Sequence, residues 1–343
     1  MRINVVSETK YMVKGNGVHT AFVDHVELLK EKKDLEVLIN NEGKGDVFHC
    51  HTYGPYYFLR GIGYNHRRVH TVHVIPDSIK GSLPMWPLFM PFVKWYLKQV
   101  YSYAEVCIAI SPKVEEAIIE SGAKTEIVRI FNPINTHKWK RTNENRKKGR
   151  EMLGLSEDDF VVLGVGQLQA RKGIEDFINV ASSVKQAKFV WAGGRPFKGM
   201  TEGVNRINAR IKSAPENIQF TGMLELDSMP LIYAAADAML FTSYQENCPL
   251  APIEAAATGM PVIFRNITEY KTLYESDYLK ADTTDQFIEI TNRLMVDERY
   301  YLEGLDISER LIMQFDKDKV RQKLINLYQR LDADVPSFQP AFR

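Results

Sequence analysis

Two glutamates eight positions apart, Glu246 and Glu254, sit in the segment QENCPLAPIEAAATGMPV (245–262). The first falls in a loop after the apolar run AMLFTS (238–243), the second in the opening turns of the next helix. A carboxylate accepts hydrogen bonds from hydroxyl groups, so two at this spacing can hold two different polyols. Pro252 fits an early helix position, where a missing N–H is tolerated. The helix macrodipole favours a carboxylate at Glu254 without any ligand, but it gives no reason for Glu246.

Upstream, the stretch VGQLQARKG (165–173) carries Gln167, Arg171 and Lys172 between a strand end and a helix. Arg171 offers a planar fork of donors and Lys172 a point charge, a pair suited to a diphosphate. Two more turns of the same kind are KGNGV (14–18), which contains Gly17, and WAGGR (191–195). Free N–H groups at such helix starts attract anions, and glycines admit a close approach. Each turn alone is compatible with a solvated loop; three on equivalent strand ends point to a ligand.

These residues need a scaffold. Apolar runs read as strands at 3–8, 35–40, 46–51, 68–74, 106–111 and 126–131, then again at 160–166, 187–194, 218–222, 238–243 and 261–264, with helical spacing between them. Short apolar strands alternating with helices predict parallel sheets covered on both faces. The polar, basic segment HKWKRTNENRKKGR (137–150) reads as a linker. The expectation is α/β: two Rossmann-like doubly wound domains, residues 1–140 and 141–316, with a ligand cleft between them. Helices alone are expected after residue 264.

Composition agrees with this size. A chain of 343 residues exceeds one ordinary core, and 45% apolar with 25% charged residues is that of a globular protein. Cys50, Cys107 and Cys248 form no disulfide framework and no CxxC pair, which points to a reducing cytoplasm. The first residues, MRINVVSE, read as a strand and not as a secretion signal, and no run approaches the roughly 20 apolar residues of a membrane span. The net charge of +1 hides an asymmetry: residues 1–150 carry 23 Lys+Arg against 15 Asp+Glu, and the remainder is acidic. A basic first half suits an anionic partner.

The ordered motifs resemble those of GT-B glycosyltransferases, specifically glycosyltransferase family 4. The resemblance rests on Glu246-x7-Glu254 with the following AAATGMPV, and on the N-terminal glycines. His73 ending TVH, Ser111, FNPIN (131–135), VGQLQARKG, AGG, FTG and AADAMLFTS add to it in the same order. It implies a retaining, metal-independent hexosyltransferase with no cofactor beyond a nucleotide-sugar donor, UDP-galactose or UDP-glucose, and no nucleic-acid partner. By resemblance Glu254 binds the ribose, while Glu246, His73 and Lys172 face the transferred sugar and diphosphate as the catalytic group. Gly17 and the backbone of Asn247, Cys248, Pro249 and Leu250 complete the donor site, and residues 317–343 form a C-terminal helix that returns to the first domain. Two departures stand out: Gln167 replaces a usual arginine, and Asn-Cys-Pro-Leu replaces Gly-Phe-Gly-Leu, so Pro249 contributes no N–H.

For the acceptor, SLPMWPLFMPFVKWYLKQVY (82–101) carries Trp86, Phe89, Phe92 and Trp95 with Lys94 and Lys98. Aromatic side chains and lysines in one stretch suit an anionic membrane surface, and an alternative is a helix buried in the first domain. The resemblance narrows to bacterial synthases of diglycosyl-diacylglycerol, the lipoteichoic-acid anchor unit. It implies a glycolipid acceptor and peripheral attachment to the inner face of the cell membrane. A soluble, protein or polyprenyl-linked acceptor, or a non-catalytic co-activator role, remains open on sequence.

Overall fold

The structure, a computed structural model, describes residues 1–11, 17–40, 44–79, 86–194 and 204–333; Lys14, Gly15, Asn16, residues 82–85 and Arg195 lie outside them. Two six-stranded sheets form the frame. The first comprises β1 (Arg2–Val6), β2 (Glu36–Ile39), β3 (Val47–Cys50), β4 (Arg68–Val72), β5 (Val106–Ala109) and β6 (Glu126–Arg129) in the order β2-β1-β3-β4-β5-β6. The second comprises β7 (Val161–Val165), β8 (Lys188–Ala192), β9 (Ile218–Gly222), β10 (Ala238–Phe241), β11 (Val262–Arg265) and β12 (Leu279–Ala281), ordered β12-β11-β10-β7-β8-β9. Every strand-to-strand pairing is parallel.

Each sheet carries an apolar cluster on either face. That explains why β5 and β10 read as unbroken apolar runs and β3 and β11 as runs broken only by His49 and Arg265: all their residues are buried. β12 was not expected. It has three residues at a sheet edge with Lys280 exposed between Leu279 and Ala281, too short to show a period.

Strand order locates the ligand site. In open α/β sheets ligands bind where the winding direction reverses, outside the C-terminal strand ends. The second sheet reverses between β7 and β10, and the first between β1 and β3. The loops carrying Lys172 and Glu246 are those after β7 and β10.

The basic linker is a correction. Residues 137–150 fall largely in two helices, Thr136–Trp139 and Asn143–Leu153, the second opened by a Thr142–Asn145 capping box and closed by Gly154 in the left-handed region. Arg146 and Arg150 donate to the two carboxylate oxygens of Asp237 at 2.7 and 2.9 Å. Arg150 also reaches the carbonyls of Glu157 and Asp159 and is buried. Arg146 and Arg150, which look solvated in sequence, are thus consumed by ion pairing within the second domain. Of the surplus of eight cations in residues 1–150, six arise in this stretch, so most of the basic excess is not a free surface of the first domain.

The C-terminal helix Lys317–Ala333 packs against the first sheet. Val320, Leu324, Leu327, Tyr328 and Leu331 share an apolar cluster with Ile3, Val5 and Val47.

Candidate active site

A cleft of about 770 Å³ opens between the two domains, within the size range of small-molecule sites. It is lined from both switch points, by Thr9, Gly17 and Thr52 of the first domain and Gln167, Arg171, Lys172, Glu246 and Glu254 of the second, and by His73 from the neighbouring end of β4.

Lys172 closes the single 3-10 turn Ala170–Lys172 after β7. The turn ends at Gly173, whose φ of +68° and contact with Thr242 both demand glycine: a Cβ there would lie 2.1 Å from the Thr242 carbonyl oxygen. This close approach sets the Lys172 ammonium against Glu246, to which it donates. Both side chains are largely buried. Burial pulls the Lys172 ammonium below its usual value, and the Glu246 charge opposes that pull. Arg171 also lines the cleft, and its buried Nε has no partner. Such an orphaned cationic donor fits an anion.

Glu254 is the fourth residue of the helix Ala251–Thr258 and is 8% exposed. Tyr233 Oη donates to its Oε2 at 2.6 Å. Burial nevertheless pushes the carboxyl up to about 7. Gly17 begins the helix Gly17–Lys30 with open space where a side chain would stand.

The Asn247–Leu250 loop also faces the cleft. Asn247 Nδ2 donates to Ser78 Oγ at 2.8 Å, and Gln245 Nε2 to the Asp77 carbonyl at 3.1 Å, both across the cleft. Cys248 touches apolar clusters of both domains, and burial raises its thiol to about 12, so it is no nucleophile at neutral pH.

With the geometry in place, comparison with known proteins fits it. Residues 26–138 match the family described as Glycosyltransferase Family 4, and residues 159–297 the family described as Glycosyl transferases group 1. The chain is 31% identical to the alpha-galactosylglucosyldiacylglycerol synthase of Streptococcus pneumoniae, over 96% of its own length and 90% of that protein. The chain belongs to the family 4 glycosyltransferases. It is also 24% identical to the processive diacylglycerol alpha-glucosyltransferase of Acholeplasma laidlawii, over 96% and 98% of the two chains. The fold matches that of HepE from Anabaena in complex with UDP and glucose, with TM-score 0.75 and 16% identity over 96% and 99% of the chains. Sucrose-phosphate synthase from Thermosynechococcus elongatus gives 0.78 at 17% identity, over 98% and 100%. The fold is GT-B.

In this glycosyltransferase, sequence reasoning missed several residues in the cleft or directly behind it. Tyr233, from the helix Met229–Ala235, holds Glu254. Lys138 and Trp139 reach the cleft from the segment expected to be a mere linker, and Lys138 pairs with Asp24 at 3.2 Å. No motif flags them; only the fold of the linker does.

His73 lines the cleft, half-buried, and burial lowers its ring to about 4. Behind it lies a histidine cluster. Ring nitrogens of buried His25, His49 and His51 fall within 4.8 Å of one another, the spacing of a possible ligand set. Tyr328 Oη already stands between His25 Nε2 (3.0 Å) and His49 Nδ1 (2.6 Å), and Thr71 Oγ1 lies 2.6 Å from His49 Nε2. The hydrogen-bond capacity of His49 is thereby filled. The signal was visible as H-x-H in 49–51, since alternate strand positions share a face.

The aromatic segment forms the helix Trp86–Tyr103. Leu97, Val100 and Tyr101 are buried, whereas Leu88, Phe89, Phe92 and Trp95 are 58–68% exposed, with Lys94 and Lys98 also exposed. The side chain of Trp86 lies outside the described set. One face is therefore core and the other a lysine-flanked apolar surface. No helix among the described residues is long and apolar enough to cross a membrane.

Proposed function

We propose that this glycosyltransferase moves a hexose, galactose or glucose, from a UDP-sugar to a glycolipid such as glucosyl-diacylglycerol, with retention at the anomeric carbon. The product would be a diglycosyl-diacylglycerol of the kind that anchors lipoteichoic acid. The observation that carries the reading is the full-length similarity to the pneumococcal alpha-galactosylglucosyldiacylglycerol synthase.

The site supplies matching chemistry. Cleavage of a sugar–phosphate bond builds negative charge on the departing diphosphate, which Lys172 and Arg171 would neutralise. Glu254 would accept from ribose hydroxyls, Glu246 from hydroxyls of the sugar. These cations take the role a metal would otherwise fill, so the reading is metal-independent, with no cofactor. Transfer on one face of the sugar through an oxocarbenium-like state is what the resemblance to the family implies, and Lys172 and Arg171 beside the departing diphosphate suit it.

The exposed Leu88–Phe89–Phe92–Trp95 face, with Lys94 and Lys98 beside it, would dock on anionic lipid at the cytoplasmic side of the membrane. Peripheral attachment there would bring the lipid-borne acceptor to the cleft. The test is a panel of UDP-sugars against diacylglycerol and glucosyl-diacylglycerol in anionic vesicles, with product linkage determined. Transfer to a soluble sugar but to neither lipid would overturn the acceptor. Vesicle flotation of wild type and of Phe92→Ser/Trp95→Ser tests the surface, and equal flotation of both would remove it from the reading.

A further inference from the structure

His51 Nδ1 and His73 Nε2 lie 3.0 Å apart in a hydrogen bond. The rings stack at 5.3 Å with 23° between their planes. They come from adjacent strand ends: His51 directly follows β3 and His73 directly follows β4. His51 is 2% exposed, and its other nitrogen, Nε2, is buried without a partner. His73 borders the cleft, and Nε2 is its only ring nitrogen with a partner among the described residues.

The bond can be made in two ways, and they differ at both outer nitrogens. If His73 donated, a neutral His51 would carry its proton on Nε2, a buried N–H with no acceptor. If His51 donates from Nδ1, its Nε2 is a bare lone pair, and no donor is stranded. A buried unsatisfied N–H is the rarer and costlier outcome. Both rings are neutral at neutral pH, because burial lowers them, so each holds one proton and the choice at His51 dictates the choice at His73.

We propose that His51 is a positioning residue that fixes His73 as the Nδ1–H tautomer, so that His73 presents a hydrogen-bond donor to a hydroxyl bound in the cleft. With the opposite tautomer His73 would offer that hydroxyl only an acceptor. The use of that donor in turnover rests on the glycosyltransferase reading above; the tautomer itself does not.

The experiment therefore reads both. Nitrogen-15 spectra of ligand-free protein, with His73 assigned through His73→Gln, report which nitrogen carries the proton. The expected result is a protonated Nδ1 and a bare Nε2 at His73. His51→Asn keeps an N–H near the Nδ1 position and preserves that pattern, while His51→Leu leaves the two tautomers mixed. In turnover with a UDP-sugar and glucosyl-diacylglycerol, His51→Leu lowers kcat about tenfold with little change in KM for the donor, and His51→Asn recovers most of it. A proton on His73 Nε2 in the wild type, or a His51→Leu protein with unchanged spectrum and kcat, overturns the proposal. A wild type inactive on every donor–acceptor pair but with Nδ1 protonated instead overturns the functional reading and leaves the tautomer standing.

Discussion

The Asn247 amide nitrogen donates to Ser78 Oγ at 2.8 Å, tying the loop that bears Glu246 to the opposite domain. Gln245, on the other side of Glu246, makes a second crossing to the Asp77 carbonyl at 3.1 Å. These bonds end inside the short segment Pro76–Ile79, which six residues separate from the exposed aromatic helix. Asn247 stands where the resemblance to the family implies glycine, and the bridge gives its side-chain amide a partner. Asn247→Ala and Gln245→Ala should each lower kcat by roughly 2- to 10-fold, the worth of one neutral hydrogen bond. Donor affinity should stay near wild type. Steady-state kinetics with separate isothermal titration of the donor will show it; unchanged kcat in the double variant would make the bridge idle.

Donor binding should depend on pH through Glu254. Its carboxyl titrates at about 7 because burial outweighs the Tyr233 hydrogen bond. Below that value a proton occupies an acceptor site; above it the carboxylate is free to accept from a ribose diol. UDP-sugar affinity should therefore rise between pH 6 and 8, and Glu254→Gln should bind about tenfold more weakly with a flatter profile. Titration calorimetry of a UDP-sugar at several pH values decides it, and a wild-type profile as flat as the variant's would refute the assignment.

Much of this was legible in the chain, for physical reasons. Short apolar runs between helical segments announce strands, so eleven of twelve were found; the twelfth, Leu279–Ala281, is too short to display any pattern. Lys172 and Glu246 were each visible, but not their ion pair, because contact across 74 residues depends on how closely Gly173 lets β7 and β10 loops approach. Arg146 and Arg150 misled for the opposite reason: charge reads as solvent exposure until a partner such as Asp237 is known. Tyr233 and Lys138 carry no local signal, since tertiary packing sets one behind Glu254 and the other in the cleft; His73 was visible at its strand end, but its bond to His51 was not.

Lys172 and Glu246 should prove coupled in stability and separable in catalysis. Removing one charge of a buried pair strands the other, at a cost of about 3–5 kcal/mol. Lys172→Met should thus lower the melting temperature, and adding Glu246→Gln should recover most of the loss. On the proposed role of Lys172, neither protein should turn over above about 1% of wild type, since a cation that would neutralise the leaving diphosphate is gone. Thermal melts beside single-turnover assays test both halves; additive destabilisation in the double variant would deny the pairing.

The histidine cluster should make the fold acid-labile. Burial lowers His25 and His70 to about 3 and His73 to about 4, and depresses His49 and His51 strongly from 6.5. The folded state keeps these rings neutral while the unfolded chain protonates them. Their contribution to stability is therefore complete about one pH unit above 6.5 and is lost as pH falls through 6.5 toward 4. Each ring accounts for up to about 1.4 kcal/mol per pH unit in that window. Urea unfolding at pH 7.5, 6.5 and 5.5 should show a loss of about 1–2 kcal/mol over the first interval and a clearly larger one, about 5 kcal/mol at most, over the second. His49→Gln, which keeps a hydrogen-bonding side chain against Tyr328 but cannot titrate, should have a shallower loss. Equal stability at all three values would mean that protonation finds acceptors the folded cluster does not display.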